Sequence, residues 1–154
     1  MTNDSAPRRL LILGCSARKK NVAGLVPAWE LYDGCAFRVV RRCEREHLFP
    51  SDIDILILSA LHGIITPATP IALYDLRITA AIAARQRRGN NARLVELTRG
   101  KVYREVFLMM GRTYLEAVTP VSEWAGKAKV IHEPQGIGLM LQRLKRWLAE
   151  APTA

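Results

Sequence analysis

Apolar residues follow two rhythms along this chain. Continuous apolar runs at Arg9 to Gly14, Ile53 to Leu58 and Tyr103 to Met110 have the length of strands buried on both faces. A weaker run at Ala128 to Ile131 predicts a fourth strand. Between the runs the spacing becomes helical. Ala28, Leu31, Tyr32, Cys35, Ala36, Val39, Val40 and Cys43 share one face, and Glu30, Asp33, Arg38, Arg41, Arg42 and Arg45 take the other. That pattern predicts a single helix with Pro27 at its first turn, Cys35 and Cys43 in the core, and Gly34 on its exposed side. Thr79 is placed to cap a second helix beginning at Ala80. Gly89-Asn90-Asn91 is expected to end it before a separate helical piece at Ala92 to Thr98. Tyr114 to Val118 predicts a short helix. The last helix carries Ile137, Met140, Leu141, Leu144, Trp147 and Leu148 as one stripe, with Arg143, Lys145 and Arg146 outside. The connection through Pro67 and Pro70 to Tyr74-Asp75 is too long for a simple turn, and long ordered connections often carry function.

The order β-α-β-α-β-α-β-α, joined by right-handed crossovers, predicts a three-layer α/β/α fold with a mainly parallel sheet of about four strands. One domain over residues 1–154 is expected, with 1–8 and 149–154 as flexible tails. No stretch is long enough to cross a bilayer. Met1 to Arg9 lacks the apolar centre of a secretory signal, so a cytoplasmic location and no membrane partner are expected. Cys15, Cys35 and Cys43 are too few for a disulfide scaffold. No cysteine or histidine spacing matches a zinc site, so neither a metal nor another cofactor is expected. Charge changes the picture more. The net charge is +9, from 23 basic and 14 acidic residues, which favours a polyanionic partner such as DNA or RNA.

Every strand run ends in polar residues: Cys15 to Lys20, Ser59 to Gly63, Gly111-Arg112 and His132 to Gly136. In a parallel sheet these ends share one edge, where α/β proteins bind ligands. Cys15 reads either as a nucleophile, since cations beside a thiol favour its ionised form, or as a small apolar filler. Lys19 and Lys20 are candidate phosphate contacts. His62 reads equally as an acid or base donor and as a loop histidine bonded to backbone. Asp75 is the candidate carboxylate, with pairing to Arg77 as its structural alternative. Arg85, Arg87 and Arg88 suit a phosphate backbone or a solvated helix face.

Cys15-Ser16-Ala17-Arg18-Lys19, Pro27-Ala28-Trp29-Glu30-Leu31-Tyr32, Ser59-Ala60-Leu61-His62-Gly63 and Tyr74-Asp75 together resemble a poorly characterised family of small bacterial and phage proteins. That family is typified by Cys-Ser-x-x-Lys, Pro-Ala-x-x-Leu-Tyr and Ser-Ala-x-x-Gly motifs. In outline the chain is also similar to the archaeosine synthase core domain, to uracil-DNA-glycosylase-like domains and to the peroxide-stress YaaA family. These resemblances imply a glycosylase-like fold and an enzyme acting on a nucleobase in DNA or RNA. Cys15, Asp75 and His62 would be catalytic, with Asp75 stabilising an oxocarbenium-like sugar and His62 bonding the departing base. Ser16, Lys19, Ser59, Tyr74 and Arg112 would bind substrate, and Arg18, Lys20, Arg85 and Arg88 the nucleic-acid backbone. A uracil-type glycosylase places a water-activating Asp in its first loop. Cys15 to Val26 has none, so Asp75 or Glu133 would serve. Two other readings stand beside this one: a non-catalytic DNA- or RNA-binding stress-response protein, and a small-molecule nucleotide enzyme.

Overall fold

The computed structural model describes residues 6–15, 18–132 and 136–150. In chain order the elements are β1 Arg8–Gly14, β2 Leu25–Pro27, α1 Ala28–Leu31, α2 Cys35–Arg45, β3 Ile53–Ser59, β4 Gly63–Ile65, β5 Pro70–Ala72, α3 Ala80–Thr98, β6 Tyr103–Met109, α4 Arg112–Glu116, a 3₁₀ turn at Val121–Glu123, β7 Lys129–Ile131 and α5 Ile137–Ala149. Five strands form one sheet in the order β4-β3-β1-β6-β7. β3, β1, β6 and β7 run parallel, and β4 turns back antiparallel on β3. Leu10, Leu11, Ile12 and Leu13 of β1 are buried at the centre of the core, as a strand covered on both faces requires. The chain crosses from β1 to β3 on one side, then returns to β6 on the other. Right-handed crossovers in opposite directions put their helices on opposite faces. α2 packs with α5, while α3 packs with α4 and the 3₁₀ turn.

Several local expectations are corrected by contacts distant in sequence. The helix expected from Ala28 to Cys43 is two helices. Tyr32-Asp33-Gly34 leaves the helical path, and Arg41 donates hydrogen bonds to the carbonyls of Trp29 and Tyr32, closing the end of α1. Gly34 is buried at the start of α2 rather than exposed, and Cys35 is exposed rather than in the core. Cys43 is partly buried. The long connection holds two short strands, β4 and β5. The latter pairs with β2 as an antiparallel ribbon, Leu25 opposite Ala72. Ile137 is exposed, not part of the apolar stripe. The tails are shorter than expected, since Arg8 lies in β1 and Ala149 in α5. Residues 1–5 and 151–154 lie outside the described residues.

α3 runs unbroken through Gly89-Asn90-Asn91, capped by the Thr79 hydroxyl accepting the Ile82 N–H. Asn90 is buried because its amide fills a tertiary role. Its Oδ1 accepts the Ile64 N–H at 3.1 Å, and its Nδ2 donates to the Ala117 carbonyl at 3.0 Å. The side chain thereby closes the outer edge of β4, which would otherwise present an unpaired donor. Gly63 makes room for it. A Cβ on Gly63 would sit 2.4 Å from Asn90 Oδ1, at a φ of +71°. Gly63→Ala is expected to lower unfolding stability by about 2–3 kcal/mol, from the left-handed backbone and the lost hydrogen bond together. A urea titration followed by circular dichroism measures it.

Candidate functional site

β1 and β6 are the strands between which the chain reverses its direction of travel, and in such sheets the crevice opens beyond their carboxyl ends. The two ends lie unusually close. A Cβ on Gly14 would fall 2.9 Å from Met110 Cβ, so only glycine lets β1 finish there and release Cys15 into the crevice. A pocket of about 440 Å³ occupies this place, lined by Cys15, Lys19, Asp75, Leu76, Arg77, Ile78, Gly111, Arg112, Thr113 and Tyr114. The loop after β1 is tied down by its backbone. Lys19 bridges to Tyr32, Lys20 N–H donates to the Leu31 carbonyl, and Asp33 N–H donates to the Arg18 carbonyl. The break between α1 and α2 therefore holds Lys19 in the wall, with its Nζ 4.5 Å from the centre of the Tyr74 ring.

Behind the pocket the polar groups form a directed network. Ser59 Oγ accepts the N–H groups of Leu61 and His62. Its own proton is then left for the Tyr74 oxygen at 2.8 Å, and Tyr32 OH reaches the same oxygen at 2.8 Å. Tyr74 in turn donates to Cys15 Sγ at 3.6 Å, and the Ala60 N–H donates to the sulfur at 3.2 Å. Tyr114 OH stands 3.0 Å from Sγ on the pocket side, in a hydrogen bond that either atom can donate. Hydrogen-bond polarity runs from backbone donors toward the sulfur. Burial pushes the Tyr74 and Tyr114 hydroxyls well above the ordinary tyrosine range, reinforced by the charge Cys15 carries when ionised, with Arg77 opposing in part at Tyr114. Burial likewise raises Tyr32. All three phenols stay protonated donors at neutral pH.

The pocket brings together four of the residues singled out from sequence: Cys15, Lys19, Asp75 and Arg112. Asp75 does not pair with Arg77. Among the described residues Lys19, Asp75, Arg77 and Arg112 form no ion pair. His62 is not in this pocket. Its ring meets Tyr74 edge-on at 5.7 Å and lines a separate groove together with Arg85. Ser59 is fully buried, so it orients Tyr74 rather than touching a ligand, and Tyr74 is part-buried in the same network. Arg18 and Lys20 are exposed on the loop after β1, and Arg85 and Arg88 are exposed on α3. His132 is tied to the Met110 carbonyl at the end of β6. Ser16 and Glu133 lie outside the described residues. Sequence reasoning missed Tyr32, Arg77 and Tyr114. The signal for Tyr114 was its place on the short helix directly after the β6 run, facing Cys15 across the reversal point. No cluster of metal-binding side chains occurs among the described residues, and no helix among them is long and apolar enough to cross a membrane.

Comparison with known proteins places the chain in a family of unknown function, DUF6884, which matches residues 10–149; the chain belongs to that family. No curated protein and no solved structure matches it.

Proposed function

We propose that this member of the family acts on a nucleobase of DNA or RNA in a glycosylase-like way, with its chemistry in the pocket beyond β1 and β6. One observation carries the reading. Lys19, Arg77 and Arg112 line a concavity and have no ion-pair partner among the described residues, and Asp75, the one carboxylate among the described lining residues, has none either. Unpaired cations around a cavity favour an anionic ligand, and the positive charge of the whole chain draws a polyanion toward it. A base cannot react inside a duplex, so the target nucleotide would be turned out into the pocket. The phosphate beside it would sit on Arg112 and Arg77. The C1′–N bond then breaks with its electron pair leaving on the base. Asp75 stabilises the positive charge that develops on the sugar. Water supplies the hydroxyl to C1′, and its proton ends on the departing base. Cys15 and Tyr114 form the floor against which the base rests.

The test incubates the purified protein with DNA and RNA oligonucleotides carrying ordinary and modified bases. Mass spectrometry follows released bases, abasic sites and covalent adducts. Base release that stops in Asp75→Ala supports the reading. Tight, salt-dependent binding with no product, unchanged by Cys15→Ala or Asp75→Ala, would instead identify a non-catalytic nucleic-acid-binding protein.

A further inference from the structure

A second cavity of about 550 Å³ lies between β4, β5 and α3. Its lining includes Leu61, His62, Ile71, Arg85, Gly89 and Arg93, and no carboxylate among the described residues. Arg85, Gly89 and Arg93 are spaced four apart, so they rise along one face of α3 with the two arginines about 12 Å apart. Arg85 makes no ion pair among the described residues, and Arg93 makes only a loose one to Glu96 at 3.7 Å with both groups exposed. Gly89 has no packing reason to be glycine. Among the described residues nothing lies within 4 Å of where its Cβ would be, yet glycine inside a helix costs about 1 kcal/mol relative to alanine. Its effect is to keep the floor of this groove clear between the two cations.

Tyr74, which touches one wall residue of each cavity, stands as a ridge between the groove and the strand-end pocket. Lys19 sits over its ring from the pocket side, and His62 meets it edge-on from the groove side. Leu61, 49% exposed, adds an apolar surface at the groove mouth. We propose that a single strand of nucleic acid crosses this ridge, with one nucleotide in the pocket and the next along the groove on Arg85 and Arg93. A cationic channel interrupted by ring faces is the arrangement that binds single strands without reading sequence. The proposal rests on the reading that the pocket accepts a base, and it adds the partner's form and its path. Phosphodiester and base stacking are common to DNA and RNA, so the two are separate arms of the test.

Fluorescence anisotropy of labelled 12-nucleotide oligothymidine, oligouridine and a DNA duplex of the same length, from 50 to 200 mM salt, tests this. The wild type is expected to bind one of the single strands at least tenfold more tightly than the duplex. Arg85→Glu/Arg93→Glu is expected to weaken that binding at least tenfold and to reduce the slope of log K against log salt by about 1.4, as for two lost phosphate contacts on a single strand. Lys127→Glu/Lys145→Glu changes the net charge equally at exposed positions outside the groove and is expected to bind as wild type. Melting curves confirm that each variant is folded. Duplex bound as tightly as single strand, no binding at all, or Arg85→Glu/Arg93→Glu binding as wild type overturns the path. Binding lost in Arg85→Glu/Arg93→Glu but unaffected by Arg77→Glu keeps the groove and removes the pocket from the reading of function.

Discussion

Asp75→Asn is expected to lower base release by about 10²–10³-fold, the range seen when one group that stabilises transition-state charge is removed. The asparagine keeps the size and removes the one carboxylate among the described lining residues of the pocket. Asp75 is exposed and makes no hydrogen bond or ion pair among the described residues, so stability should change by no more than about 0.5 kcal/mol. Single-turnover release and a thermal melt on the same preparation read the two effects separately. A variant that releases base at the wild-type rate would remove Asp75 from the chemistry. A variant that melts early would mean the carboxylate holds the fold instead. Lys19 and Arg112 provide the contrast, because their replacement should weaken capture of the nucleic acid as well as turnover.

Arg9→Met is expected to destabilise the fold by about 3–5 kcal/mol, the cost of breaking a buried ion pair by removing one partner. Arg9 begins the buried part of β1 and is wholly buried. Its Nε and Nη2 bind the two oxygens of Asp52 at 2.8 and 3.0 Å, and it donates to the Trp147 and Glu150 carbonyls at the end of α5. It also lies 4.9 Å from the centre of the Trp147 ring. One guanidinium therefore joins the amino end of the sheet to the final turn of the last helix, where carbonyls lack helical partners. The residual contact of Asp52 to Arg104 at 3.3 Å favours the lower end of that range. Chemical unfolding measures the loss, and Arg9→Met with Asp52→Leu should recover part of it because no unpaired carboxylate remains.

The same pair sets the acid limb of stability. Burial alone pushes the Asp52 carboxyl up, but Arg9 and Arg104 outweigh it and hold the group below its ordinary range. Asp54 follows the same logic, with burial opposed by Arg8, Tyr103 and Lys101. A carboxylate whose folded pKa is depressed contributes fully above its unfolded value of about 4 and loses that contribution as pH falls through the folded value. Stability should therefore be level on the neutral side of about pH 5 and drop below about pH 4, and Arg9→Met should flatten that drop.

The candidate site was legible in part. Strand ends rich in polar residues pointed to Cys15, Lys19 and Arg112, because a parallel sheet necessarily gathers those ends on one edge. His62 was misplaced because it follows a strand end as closely as Cys15 does, yet its ring packs on Tyr74 and lines the groove instead of the pocket. Arg77 was weighed only as a partner for Asp75, and Tyr114 only as the start of a short helix.

Local pattern alone was enough to specify the four parallel strands, the Thr79 cap and the basic faces of the helices. Burial on both faces, cap chemistry and helical spacing act within a few residues. Folding alone decided the break at Gly34, the unbroken course of α3 through Asn90, and the β2–β5 ribbon. In each case the deciding partner is a backbone group far along the chain: the Arg18 carbonyl for Asp33, the Ile64 N–H for Asn90, and the strand Pro70–Ala72 for Leu25–Pro27. Buried backbone groups must find partners wherever the topology puts them, and that demand overrides what glycine and asparagine prefer locally.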